Sequence, residues 1–150
     1  MKLLKSIGLK GFTLIELIVV MGILTVLLAI VLVAVNPSRQ FSLANNTQRR
    51  SDVNALLNAI HQYSADNAGN LPAGITSTAT NIGTGVGNVD LCAALTPTYV
   101  AQMPTDPTKP KFTSCASYDT GYTSSKSATN NRVTVGAPNA ELGVSISVTR

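Results

Sequence analysis

The sequence predicts an α+β protein: a long amino-terminal helix, its first half embedded in a membrane, with a small antiparallel sheet packed on its second half. Three observations predict it. Phe12 to Val35 is an apolar block of 24 residues broken only by Thr13, Glu16, Gly22 and Thr25. Beyond Asn36-Pro37, the residues Val53, Leu56, Leu57 and Ile60 recur at i, i+3, i+4 and i+7, the spacing of one helical face. The carboxy-terminal part then offers short alternating segments with no helix between them, the pattern of an antiparallel sheet that needs a helix to cover its apolar face.

The 150 residues suffice for one modest domain plus a membrane segment. As a helix, the apolar block is about 36 Å long at about 1.5 Å per residue, enough to cross a hydrocarbon core of about 30 Å. Charge placement orients it. The net charge is +4, but Lys2, Lys5 and Lys10 fall in an acid-free stretch of eleven residues. The remaining eight Lys and Arg face seven acids, leaving +1 for everything from Phe12 onward. Residues 1–11 are therefore expected in the cytoplasm and the carboxy-terminal part outside. With no basic face on the folded part, contact with nucleic acid is not expected. A cleaved secretory signal is the competing reading. Its apolar region runs to about 7–15 residues and ends at small residues, whereas this block is longer, holds an acid and offers only Ala29 and Ala34 as weak sites.

Asn36-Pro37 closes the block. Proline lacks an N–H and pushes its predecessor out of helical geometry, so a kink or short break is expected there. Asp52, Asn54, Asn58, His61 and Gln62 fall largely on the faces away from the apolar stripe. Asp66-Asn67-Ala68-Gly69 is the expected stop, with Gly69 in a left-handed cap and Pro72 shortly after. One kinked helix is thus predicted from about Phe12 to about Asn67. The Gly/Thr/Asn-rich residues 69–90 read as a loop, 91–95 as a short helix or turn, and 103–107 as irregular. Strands are predicted at 111–118 and 121–124, linked by Asp119-Thr120-Gly121, and at 132–135. The clearest is the last, where Leu142, Val144, Ile146 and Val148 alternate with Gly143, Ser145, Ser147 and Thr149.

Cys92 and Cys115 are the two cysteines. A structural zinc site takes about four ligands, so the pair in an exported domain reads as one disulfide; two buried thiols are the alternative. Gly83-Thr84-Gly85-Val86-Gly87 lacks the strand-turn-helix setting of a dinucleotide fingerprint and reads as a flexible loop. His61 has no nucleophile pattern near it and reads as a solvated surface residue. The serines and threonines of 113–125 show no nucleophile elbow. No catalytic residue, metal site or cofactor is expected, and a secreted enzyme is disfavoured on that ground.

Glu16 is the sharpest signal. A carboxylate within a membrane helix costs a few kcal/mol unless it is protonated or paired, which marks it as functional; the plainer reading is a side chain that reaches back to the cytoplasmic interface. Its surroundings decide. Lys10-Gly11-Phe12-Thr13-Leu14-Ile15-Glu16-Leu17 resembles the processing site of type IV pilins and of the related pseudopilins of type II secretion: a short basic leader, Gly, Phe, then a glutamate four residues on inside an apolar helix. The resemblance implies a leader at 1–11, removed after Gly11 by a membrane-embedded prepilin peptidase, and N-methylation of Phe12. It implies a membrane and assembly helix at 12–35 and an outer globular domain at 36–150. It further implies that Glu16 pairs with the Phe12 amine of a neighbouring copy, and that copies polymerise with an assembly machine's help into a surface filament.

More weakly, Arg49-Arg50-Ser51-Asp52 through Leu71-Pro72, and Met103-Pro104-Thr105-Asp106-Pro107, are similar to the helix end and the Pro-x-Asp-Pro segment of major pseudopilins and short pilins. Val33 stands where many members carry a proline, and Pro37 follows four residues later; Gly22 is a second place for the helix to loosen. Some pseudopilins bind calcium in the sheet loops, but Asp106 and Asp119 are few acids for an ion that takes 6–8 oxygens. A type IV pilin, a major pseudopilin and a single-pass anchor that displays a binding domain without polymerising remain the alternatives.

Overall fold

The structure is a computed structural model that describes residues 11–150. The basic stretch with Lys2, Lys5 and Lys10 lies outside those residues. The chain divides into two compact units, with the boundary between Gln40 and Phe41.

The first unit is built on helix α1, Leu14–Val35. Thr13 caps it through a capping box, accepting from the Glu16 N–H while the Glu16 side chain accepts from the Thr13 N–H. Farther along, Thr25 donates its hydroxyl to the Met21 carbonyl at 2.8 Å, so its polar group is satisfied within the helix. Asn36 ends α1 in left-handed geometry, φ 46° and ψ 80°. Asparagine is one of the few residues that tolerates this region. The same residue opens helix α2, Pro37–Asp66, because its carbonyl accepts from the N–H groups of Arg39 and Gln40. Pro37 sits at the first helical position, where a missing N–H costs nothing. The predicted break is therefore one residue wide.

The second unit starts within α2. Val53, Leu56, Leu57 and Ile60 are fully buried, as their spacing predicts, and each contributes about 1.5–3 kcal/mol by leaving water. They pack in one cluster with Ile82, Leu91, Leu95, Met103, Tyr122, Val133, Val135 and Ile146. The helix stops at Asp66. Ala68 and Gly69 are both left-handed, and the Gly69 N–H reaches back to the Ser64 carbonyl at 2.8 Å.

Four strands form an antiparallel sheet in sequence order: β1 Thr80–Gly83, β2 Asp119–Lys126, β3 Val133–Gly136 and β4 Ser147–Thr149. Helix α3, Cys92–Leu95, supplies the predicted short turn of helix. The α+β class and the helix-on-sheet layering agree with the sequence reading, but several boundaries do not. β1 lies within the predicted loop; its one large apolar residue, Ile82, is too little to show an alternation. Residues 111–118 form no strand beyond an isolated bridge between Ser114 and Ser117. The supposed turn at 119–121 lies inside β2, where Gly121 adopts φ +71° and a Cβ would come within 3.0 Å of the Asp106 side chain. The strand predicted at 142–149 is mostly not one. Leu142 and Val144 are 46% and 38% exposed, and only Ser147–Thr149 pairs with β3. β3 ends at Gly136, so residues 142–145 have no partner to align with.

Candidate functional site

Gly11, Phe12 and Thr13 lead into α1, and Phe12 is 90% exposed. Glu16 Oε2 accepts from the Thr13 N–H and from the Thr13 hydroxyl, both at 2.8 Å. Among the described residues, Oε1 makes no hydrogen bond. The carboxylate is thus held at Thr13, the residue after Phe12, with one oxygen bound by its own chain and the other open. No residue of α1 is buried. An 18-residue window within it has mean hydropathy 3.2, and 22 residues give about 33 Å of helix. So long an unburied apolar surface is far beyond the patch a water-soluble monomer tolerates, and it marks a surface meant for lipid or for other chains.

A second constellation, in the second unit, escaped the sequence reading. Arg49 is fully buried, and its guanidinium donates to both Asp106 oxygens (Nε 2.7 Å, Nη2 3.1 Å), to Glu141 Oε2 at 2.7 Å and to Asn46 Oδ1 at 3.0 Å. Burial opposes the charge on Asp106, which is 1% exposed, but the Arg49 fork and the Thr108 N–H and hydroxyl outweigh it. Its carboxyl is held below the ordinary carboxylate range. Arg49 and then Asn45 do the same for Glu141, and its partners push the Arg49 guanidinium further up. One turn on, Asp52 accepts from the buried Tyr122 hydroxyl at 2.7 Å, and burial followed by this bond raises the phenol. Asp52 was expected on a polar face; it is 7% exposed because a tyrosine across the sheet needs an acceptor. Helix α2 is thereby tied to the Met103–Pro107 segment, to the 137–146 loop and to β2.

The other predicted residues have local duties. Cys92, at the start of α3, and Cys115 form a disulfide with a Cα–Cα distance of 5.5 Å, enclosing Met103–Pro107. Cys115 sits in the turn between Ser114 and Ser117, not on a first strand as expected, since no strand forms there. In the chain-entropy model, closing a loop 23 residues apart contributes about 3 kcal/mol. Reduction is therefore expected to lower the unfolding free energy of the second unit by about that much. Mass analysis of the unreduced protein should find no thiol open to alkylation, and two would reject the bridge. Asp119 is paired with Lys109 at 2.8 Å and accepts from Asn81 and the Gly121 N–H; Lys109 foremost holds it down to about 2. Asp106 and Asp119 are both engaged by cationic side chains. Among the described residues no group of three metal-ligating side chains occurs. His61 is only half-exposed, and its Nε2 is enclosed without a hydrogen-bond partner, so it is less solvated than expected.

The motif that remains is the amino-terminal one: Gly-Phe at a helix entrance, a carboxylate one turn in, and an unburied apolar helix behind it. Residues 10–32 match the family model of the prokaryotic N-terminal methylation motif. This is the prepilin signature of type IV pilins and pseudopilins, and it supports a pilin-like or pseudopilin precursor anchored in the membrane. The match spans Gly11, Phe12, Glu16 and most of α1, and none of the second unit. No curated protein and no solved structure matches the chain.

Proposed function

We propose that this chain is a structural subunit of a type IV pilus or pilus-like filament, with no catalytic role. Residues 1–11 are the leader, prepilin peptidase cuts after Gly11, and the new amine on Phe12 is methylated. The span from Phe12 to Val35 holds the subunit in the cytoplasmic membrane, with residues 36–150 outside, until the assembly machinery transfers it to the filament. There the apolar helices of successive copies pack against one another. The observation that carries this reading is the exposed carboxylate of Glu16 at the head of a wholly unburied apolar helix. The capping box with Thr13 would be served by a neutral glutamine as well, whereas a neighbouring copy's cationic amine gives a reason for the charge.

The test is Gly11→Val. A β-branched side chain at the cut is expected to leave an uncut, membrane-bound precursor and no surface filaments. Electron microscopy of cells with and without the chain, with mass analysis of the filament subunit, reads both outcomes. Filaments whose subunits retain residues 1–11 would overturn the reading. A processed chain that stays monomeric in the membrane would instead favour an anchored binding domain.

A further inference from the structure

The turn Glu141-Leu142-Gly143-Val144 has an unusual construction. Glu141 is clamped to α2 on every polar atom: its carboxylate accepts from Ser42, Asn45 and Arg49, its carbonyl accepts from Asn46, and its N–H donates to Asn46 Oδ1. Beyond this anchor the backbone turns back, with the Val144 N–H on the Glu141 carbonyl at 3.4 Å. Leu142 and Gly143 are both left-handed, at φ 60° and 68°. For a bulky residue this geometry is strained, and no core packing compensates, because Leu142 is 46% exposed. The anchor fixes the turn so that it presents an apolar tip to the outside. Phe41 (71% exposed) and Leu43 (41%) flank Ser42, the residue Glu141 holds, and Val144 (38%) follows the tip. Four exposed apolar side chains thus collect at one end of the outer unit.

That end is also where the chain enters from the apolar span. Only residues 36–40 separate Val35 from Phe41, and because all but Asn36 belong to α2 they advance the chain by only about 10 Å, at about 1.5 Å per residue. The polar layer on each side of a bilayer core is about 5–8 Å deep. These five residues cannot carry Phe41 far beyond it. The one carboxylate in the cluster, Glu141, is paired with Arg49, while Arg39 and Arg50 are exposed, so an anionic headgroup layer is not repelled. We propose that Phe41, Leu43, Leu142 and Val144 form a contact with the bilayer surface, seating the outer unit on the membrane before the subunit is withdrawn into a filament. This rests on the reading of α1 as a membrane span. The strained turn is then explained: it lowers an apolar tip among lipid headgroups, where exposed apolar surface is stabilised.

The chain contains no tryptophan, so a single one reports its own surroundings. Leu142→Trp and Val144→Trp would each be placed in the full chain, with Val86→Trp, on a different exposed loop, as the control. The chains are reconstituted at high dilution in vesicles of phosphatidylethanolamine and phosphatidylglycerol, some brominated near the top of the acyl chains. The proposal expects blue-shifted emission, quenched by the brominated lipid, from positions 142 and 144, and water-like, unquenched emission from position 86. Water-like emission at both test positions overturns it. A blue shift without bromine quenching that fades on further dilution in lipid overturns it in favour of a second copy of this chain. Alkaline extraction of the same vesicles separates the underlying reading: a chain that washes off was never inserted, and the anchor itself fails. Position 144 keeps the test decisive if Leu142→Trp alters the turn.

Discussion

Arg49→Met is expected to destabilise the second unit by about 3–5 kcal/mol, the cost of leaving a buried charge without its partner. Asp106 is 1% exposed and takes two hydrogen bonds from the guanidinium that the substitution removes. Methionine fills much of the space but gives Asp106 nothing to pair with. All four tyrosines, at 63, 99, 118 and 122, lie in the second unit. Near-ultraviolet dichroism of the full chain in detergent therefore follows this unit alone. The double variant Arg49→Met with Asp106→Asn should recover part of the loss, because it removes both charges. A loss below about 1 kcal/mol for Arg49→Met would place the pair among surface ion pairs of small effect.

The same network contributes to the acid response. The folded-state values of Asp106 and Glu141 lie below the ordinary carboxylate range. A depressed carboxyl contributes stability that is complete above its unfolded value of about 4 and is lost as pH falls through the folded value. Wild-type stability should therefore decline below about pH 4. In Arg49→Met, burial of Asp106 is opposed only by the weaker Thr108 bonds, which favours the protonated form. Its acid loss should be smaller than that of the wild type.

Legibility in the sequence followed what each residue interacts with. The break at Asn36-Pro37, the face Val53/Leu56/Leu57/Ile60 and the stop at Gly69 depend on neighbours within a few positions, and local pattern gave them away. Arg49 did not, because its partners lie 57 and 92 residues on. An arginine one residue before another on a polar stretch reads as solvated until a loop with two carboxylates folds over it. A hint existed: Asn46, Arg49, Val53, Leu56 and Ile60 follow helical spacing, so Arg49 extends the buried stripe. The apparent strand at 142–149 failed for the opposite reason. Its alternation was genuine, but a strand needs a partner of matching length, and β3 spans only Val133–Gly136. Glu141, clamped by Arg49 and Asn46, then turns the chain where pairing would have continued. In the first unit the amino-terminal motif was legible as a family signature, since it lies in contiguous residues.

Glu16→Gln should abolish filaments, or reduce them severely, while leaving the subunit in the membrane. Two duties of Glu16 are separable by this one substitution. In its own chain it completes the capping box with Thr13. Glutamine serves that position as well as glutamate does, so the start of α1 should persist. Insertion should improve, since a neutral amide costs less in lipid than a carboxylate. Processing should continue, because the proposed cut at Gly11–Phe12 and the proposed leader are untouched. What is lost is charge. A carboxylate and the Phe12 amine of the next copy at about 4 Å attract by about 4 kcal/mol at an effective dielectric of about 20, before desolvation is subtracted. A net charged hydrogen bond of about 1.5–3 kcal/mol corresponds to about one to two orders of magnitude in the affinity of each added subunit. Because every addition repeats the contact, the loss compounds along the filament. An acid that merely reaches for the cytoplasmic interface predicts the same better insertion but normal filaments. Counting filaments beside an immunoblot for processed subunit in the membrane fraction separates the two. Abundant normal filaments built from the Glu16→Gln chain would leave Glu16 as a helix cap and nothing more, and the pairing account of assembly would fall.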